Sequence, residues 1–200
     1  MSSEIEIKIP LEKEEFEKIE NLISRNEKNS ACENLVFSDY KKIFKSDEYF
    51  SRYKTRSERK NAGEFEVIRI RTEKIGGREK SFFTTKRKSL VDGFEVNDEK
   101  ETFVENPEVV RNFLLESGFI KWFEKTKDSE SVFCALKNGR NLKFHLELEK
   151  VNGLFYIEIE CTENKNYQNH DVFSELEKVV ESLGLDIQKN DPRSWIEILS

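Results

Sequence analysis

Glutamates separated by one residue recur along this chain as Glu4/Glu6, Glu99/Glu101, Glu147/Glu149 and Glu158/Glu160. Bases follow the same rule, as Arg69/Arg71, Lys86/Lys88 and Lys125/Lys127, with Lys8 and Lys143 standing alone. On a strand, residues i and i+2 project from one face roughly 6.5–7 Å apart, so each pair sets like charges side by side. A solvated face usually mixes signs because mixing costs less. A charged face turned to water explains one such strand; seven same-sign pairs ask for more. Two carboxylates on one side suit a hard cation such as Mg²⁺ or Mn²⁺. Lysines and arginines on neighbouring strands suit phosphate oxygens, the arginines through their planar donor fork. Brought onto one concave surface, the two sets describe a site for a metal-bound polyphosphate.

Those residues need strands to carry them, and the hydrophobic period supplies these. Residues 4–9 alternate charged with Ile5, Ile7 and Ile9 until Pro10, which is expected to end the strand. Residues 11–25 carry Leu11, Phe16, Ile19, Leu22 and Ile23 at helical spacing. Residues 26–62 are less clear, with a strand at 47–53 followed by a charged loop. Period two then dominates, predicting strands at 64–73, 81–88, 95–104, 119–127, 131–136, 141–151 and 154–161. Gly76-Gly77, Asp92-Gly93, Asn138-Gly139 and Asn152-Gly153 mark turns. Helices are expected from Pro107 to about Ser117 and over 171–183, with a short closing piece at 195–199. About eight strands, mostly joined by hairpins, with about three helices between them, predict an α+β fold on an antiparallel sheet. If the sheet closes, its charged faces point inwards, and eight strands enclose room for one small ligand. No linker or repeat divides the chain, so residues 1–200 are expected to form one domain.

Bulk properties exclude several classes. Charged residues make up 37% and hydrophobic ones 36%, a balance that leans towards disorder, yet 16 phenylalanines recur inside the alternating segments. The net charge of −6 argues against wrapping duplex nucleic acid. Cys32, Cys134 and Cys161 form no CxxC pair and read as free thiols of a reducing cytoplasm, with Cys161 on the apolar face. Neither a secretory signal nor a run of ~20 apolar residues is present, so a soluble cytoplasmic protein without membrane partners is expected.

Taken in order, the charged segments resemble the CYTH superfamily, the triphosphate tunnel metalloenzymes. Glu4-Ile5-Glu6-Ile7-Lys8 resembles its E-x-E-x-K signature, Ile68-Arg69-Ile70-Arg71 its basic strand, and Thr84-Thr85-Lys86 its T-x-K segment. Glu99-Lys100-Glu101 resembles its central E-x-E. Lys125-Thr126-Lys127 stands where K-x-R is usual, and Glu149 where Asp is usual. Glu158-Ile159-Glu160 resembles the closing E-x-E, and Trp195-Ile196-Glu197-Ile198-Leu199 the aromatic-led final piece. Asp47-Glu48-Tyr49-Phe50 matches the family's D-x-Y-Y/F strand only loosely. The resemblance spans the chain and implies a closed eight-stranded antiparallel barrel, a triphosphate tunnel, with helices outside.

The resemblance also implies roles. Glu4, Glu6, Glu158 and Glu160 would hold divalent metal, with Glu149 and Glu147 near them, and Glu99 and Glu101 would serve metal or orient bases. Lys8, Arg69, Arg71, Lys86, Lys125 and Lys127 would grip the triphosphate, with Glu4, Glu6 and Lys8 at the chemistry. His145 shares the charged face but reads as structural, as do Lys88 and Lys143, and Trp195 reads as packing. The implied activity is metal-dependent hydrolysis of inorganic triphosphate, a nucleoside triphosphate or thiamine triphosphate. The alternatives are a class IV adenylyl cyclase making cyclic AMP from ATP, and a non-catalytic polyphosphate- or nucleotide-binding module.

Overall fold

Apolar residues, mostly isoleucine, occupy every second position of the first and last strands, and that stripe decides which way the sheet curls. The structure, a computed structural model, describes residues 3–25, 33–65, 67–161 and 167–199. Eight antiparallel strands, β1 (Ser3–Leu11), β2 (Leu35–Ser51), β3 (Val67–Ile75), β4 (Arg78–Val91), β5 (Phe94–Val104), β6 (Ile120–Leu136), β7 (Phe144–Val151) and β8 (Leu154–Cys161), close in the order β1-β5-β4-β3-β2-β6-β7-β8. Among the described residues, five α-helices accompany them: α1 (Lys13–Arg25), α2 (Arg56–Asn61), α3 (Pro107–Glu116), α4 (Asn169–Ser182) and α5 (Trp195–Leu199). The α+β class and the closed eight-stranded barrel expected from the sequence are both present.

The hydrophobic core lies outside the barrel. Ile5, Ile7 and Ile9 of β1, Leu146 and Leu148 of β7, and Ile157 and Ile159 of β8 are all at most 1% exposed. They pack with Ile19 and Ile23 of α1 and Val172, Leu176, Val179 and Val180 of α4. Phe50, Ile68 and Ile70 form a second patch with Leu114 of α3. With the apolar faces of β1, β7 and β8 spent on the helices, the charged faces of those strands must point inwards. The Asp92-Gly93 and Asn152-Gly153 turns both take positive φ (51° and 86°, 50° and 82°), the conformation a two-residue hairpin of this hand requires.

Four segment readings change. β1 continues through Pro10 to Leu11; there it pairs with β8 alone, so a missing N–H on the other edge breaks no ladder. Segments 119–127 and 131–136 are one 17-residue strand, β6. It pairs along nearly its whole length with β2, which starts twelve residues before the strand expected at 47–53. A bulge at Ser38/Lys41, with Asp39 at φ 60°, bends β2. The charged loop holds α2, started by a reciprocal capping box between Thr55 and Glu58. Cys134 and Cys161 are buried; Cys32 lies outside the described residues.

Candidate active site: a charged tunnel

The inward faces line a cavity of about 740 Å³. Its walls carry Glu4, Glu6 and Lys8 of β1, Lys45 and Tyr49 of β2, Arg69, Arg71 and Glu73 of β3, and Lys86 and Lys88 of β4. Glu95, Glu99 and Glu101 come from β5, Lys125 and Lys127 from β6, His145 and Glu147 from β7, and Glu158 and Glu160 from β8. Every residue singled out above for metal or phosphate except Glu149 therefore lines one chamber. Glu149 is fully buried beside the lining residues Glu147 and Glu158.

The cations gather around an acid that the pair rule could not find. Asp47 is fully buried and accepts from Arg71 Nε and Nη2 at 2.7 and 3.0 Å. Lys125 Nζ lies 3.2 Å from it and Arg69 4.0 Å. Burial alone would raise the Asp47 carboxyl, but Arg71, Lys125 and Arg69 hold it well below its ordinary range. Lys125 gains less: burial, and then repulsion from Lys127, bring its ammonium down to about 8. Glu99 and Glu101 stand behind Arg69 at 3.8 and 3.5 Å, and Glu101 also accepts from Thr84 at 2.8 Å. Both glutamates therefore serve the bases in this arrangement. Lys86 is shared by Glu6 at 2.8 Å, Glu95 at 3.5 Å and Glu99 at 3.6 Å.

The acids form two triads, each with ligand oxygens within 4.8 Å of one another. In the first, Glu4 and Glu6 of β1 meet Glu160 of β8. Burial, and then the charges of Glu160 and Glu99, push Glu4 up to about 9. Burial, and the charges of Glu95 and Glu158 against the pull of Lys86, push Glu6 up to about 8. Three crowded oxygen ligands short of positive charge are a donor set that fits a hard divalent cation. The second triad joins Glu147 and Glu149 of β7 to Glu158 of β8. Lys127 donates to Glu149 and Glu147, and Lys45 to Glu147. Glu149 is raised to about 8 by burial and by Glu158, against Lys127, and its Oε2 has no hydrogen-bond partner.

Three residues read as structural have larger parts. His145 Nδ1 meets Glu160 at 2.6 Å, and its Nε2 meets the Ser131 hydroxyl at 2.7 Å, so the ring braces a member of the first triad. Trp195 packs on Tyr156 but also donates Nε1–H to Glu158 at 2.8 Å, with Lys125 5.1 Å from its ring centre. Lys88 pairs with Glu95 and donates to the Pro192 carbonyl; Lys8 donates to the Arg193 carbonyl at 2.8 Å. The segment before α5 thus lies against one side of the tunnel. Lys143, by contrast, is half exposed, pairs with Asp39 at 3.8 Å and lies over Phe133.

Solved structures share this architecture over nearly the whole chain. The PH1819 protein of Pyrococcus horikoshii superposes with a TM-score of 0.71 at 22% identity, covering 98% of this chain and 97% of that one. A proposed adenylate cyclase from Vibrio parahaemolyticus gives 0.66 at 13% identity, covering 99% and 98%. The Mimivirus capping enzyme triphosphatase gives 0.52 at 8% identity, covering 92% and 90%. These structures share the fold, a closed eight-stranded barrel. The likeness to the CYTH superfamily read from the sequence is borne out at the level of the fold. No protein-family model and no curated protein matches the chain. Among the described residues, no helix is long and apolar enough to cross a membrane.

Proposed function

We propose that this chain is a divalent-metal-dependent hydrolase acting on a triphosphate compound held in the tunnel. One observation carries the reading: a single chamber joins an under-compensated triad of carboxylates, Glu4, Glu6 and Glu160, to a wall of buried cations. An anion binder has no use for the first, and a structural barrel has no use for either.

Glu4, Glu6 and Glu160 would hold Mg²⁺ or Mn²⁺, which when bound supplies Lewis-acid charge to phosphoryl oxygens and acidifies a water. Lys8, Arg69, Arg71, Lys86 and Lys125 contact the triphosphate oxygens and stabilise the charge that spreads over them in phosphoryl transfer. Their carboxylate partners matter as much. Asp47, Glu99 and Glu101 fix the guanidinium groups before substrate arrives, so little reorganisation accompanies reaction. His145 keeps Glu160 turned towards Glu4 and Glu6.

Cyclisation of a nucleoside triphosphate is the second reading. It is favoured by the apolar residues among the cavity lining, Phe65, Val67, Leu90, Pro192 and Ile196, which a base could contact. A product assay separates the two. Purified protein is incubated with ATP, inorganic triphosphate or thiamine triphosphate and Mg²⁺ or Mn²⁺. Orthophosphate release supports the hydrolase; cyclic AMP with pyrophosphate establishes the cyclase; no turnover of any substrate refutes both.

A further inference from the structure

The two acid triads are alike in composition and spacing, yet the chain treats them differently. Both consist of three glutamates, two from one strand and one from β8, with oxygens within 4.8 Å. The Glu147–Glu149–Glu158 triad already contains a cation. Lys127, 3% exposed, donates to Glu149, lies 3.2 Å from Glu147 Oε2 and 3.8 Å from Glu158 Oε2. An ammonium is a compact charge with three donors, so it can address three carboxylates at once. Lys45 flanks the same cluster, pairing with Glu147 and lying 3.5 Å from Glu73.

Nothing comparable bridges the Glu4–Glu6–Glu160 triad. Lys86 reaches Glu6 but shares itself with Glu95 and Glu99. His145 reaches Glu160 alone of the three. Among the described residues, no single side-chain cation lies within 4.0 Å of all three carboxylates.

We infer that the tunnel is a one-metal centre, in which the Lys127 ammonium occupies the Glu147–Glu149–Glu158 triad and only the Glu4–Glu6–Glu160 triad takes a divalent ion. The inference rests on the metal-dependent reading above and adds the metal count. It also removes Lys127 from the phosphate-gripping set and makes it a built-in counter-cation. Glu149 sharpens the point. It is fully buried and its Oε2 has no hydrogen-bond partner, so losing Lys127 would leave an oxygen-lined cavity for a metal to fill.

The test counts Mn²⁺ bound to the full-length protein, with the free ion followed by its paramagnetic resonance signal and heats read by calorimetry. One Mn²⁺ per chain is expected for the wild type. Glu160→Gln should weaken it at least tenfold, whereas Glu149→Gln should leave the count at one and the affinity within about threefold. Lys127→Met, close in shape but uncharged, should bind a second Mn²⁺, and its melting temperature should rise with Mn²⁺ more than that of the wild type. Two ions in the wild type, or equal weakening by Glu149→Gln and Glu160→Gln, overturn the inference while leaving the metal-dependent reading intact. A single ion in folded Lys127→Met also overturns it. If Lys127→Met does not fold, the two glutamine variants still decide the matter. Wild-type protein that binds no Mn²⁺ yet hydrolyses triphosphate without metal overturns both readings.

Discussion

Replacing Asp47 by asparagine should be among the most damaging single-atom changes possible in this barrel. The carboxylate is fully buried and sits against Arg71 at 2.7 and 3.0 Å, Lys125 at 3.2 Å and Arg69 at 4.0 Å. Asparagine keeps the shape and one acceptor but removes the charge, leaving three cations to repel one another out of water. Removing one partner of a buried ion pair costs about 3–5 kcal/mol, and here one acid serves three bases, so the upper half of that range is expected. For a chain of this size each kcal/mol moves the melting temperature by roughly 2–4 °C, giving a fall of about 8–20 °C. Circular dichroism melts of wild type and Asp47→Asn measure it. Tripolyphosphate should return more stability to the variant than to the wild type, because a polyanion among the cations replaces the missing charge. A melting temperature within about 2 °C of wild type would show the cations to be hydrated, and the preorganised wall would be wrong.

Three further expectations follow from particular side chains. Lys125 ionises at about 8 against an ordinary 10.5, so tripolyphosphate affinity should fall as pH rises through 8. Between those values the unfolded chain binds more protons, so stability gains from this group as pH rises; Lys125→Met should flatten both profiles, read by calorimetry and thermal melts. Trp195→Phe removes the bond to Glu158 and should abolish a tryptophan-emission response to tripolyphosphate if, as its place beside Lys125 indicates, Trp195 is the reporter. Leu176→Ala on α4, buried outside the barrel, should cost about 2–5 kcal/mol in denaturant melts while leaving Mn²⁺ affinity within about twofold.

The glutamate pairs of β1, β7 and β8 were legible because the outer faces of those strands are mostly hydrocarbon. In β1, β7 and β8 the core between barrel and helices imposes alternation, and the charges stand out against it. In β6 the inner face carries Lys125, Lys127, Ser129 and Ser131, while Glu124, Thr126 and Asp128 on the outer face are exposed. With both faces polar there is no hydrophobic period, and the middle of the strand reads as a turn. β2 hides for the same reason. Asp47 escaped because Lys45 and Arg71, not acids, are its neighbours, and a search for like-charged pairs discards a mixed one. His145 and Trp195 were seen but placed too modestly, since a single residue type says nothing of what stands opposite it across the barrel.

The barrel closes where the two ends of the sequence meet. β1 pairs with β5 only along Ser3–Glu6, and beyond that its free edge is taken by the C-terminal segment. Lys8 N–H donates to Asn190 Oδ1 at 3.0 Å, and Asp191 N–H donates to the Lys8 carbonyl at 2.7 Å. During synthesis, β1 emerges well before the elements that fasten it. At roughly 5–20 residues per second, Ile5, Ile7 and Ile9 wait on the order of ten seconds or more before β8, α4 and residues 190–191 can cover them. The free edge of β1 therefore stays uncovered until a segment about 180 residues further along the chain has emerged, so sheltering of Ile5, Ile7 and Ile9 is coupled to the arrival of residues 190–191.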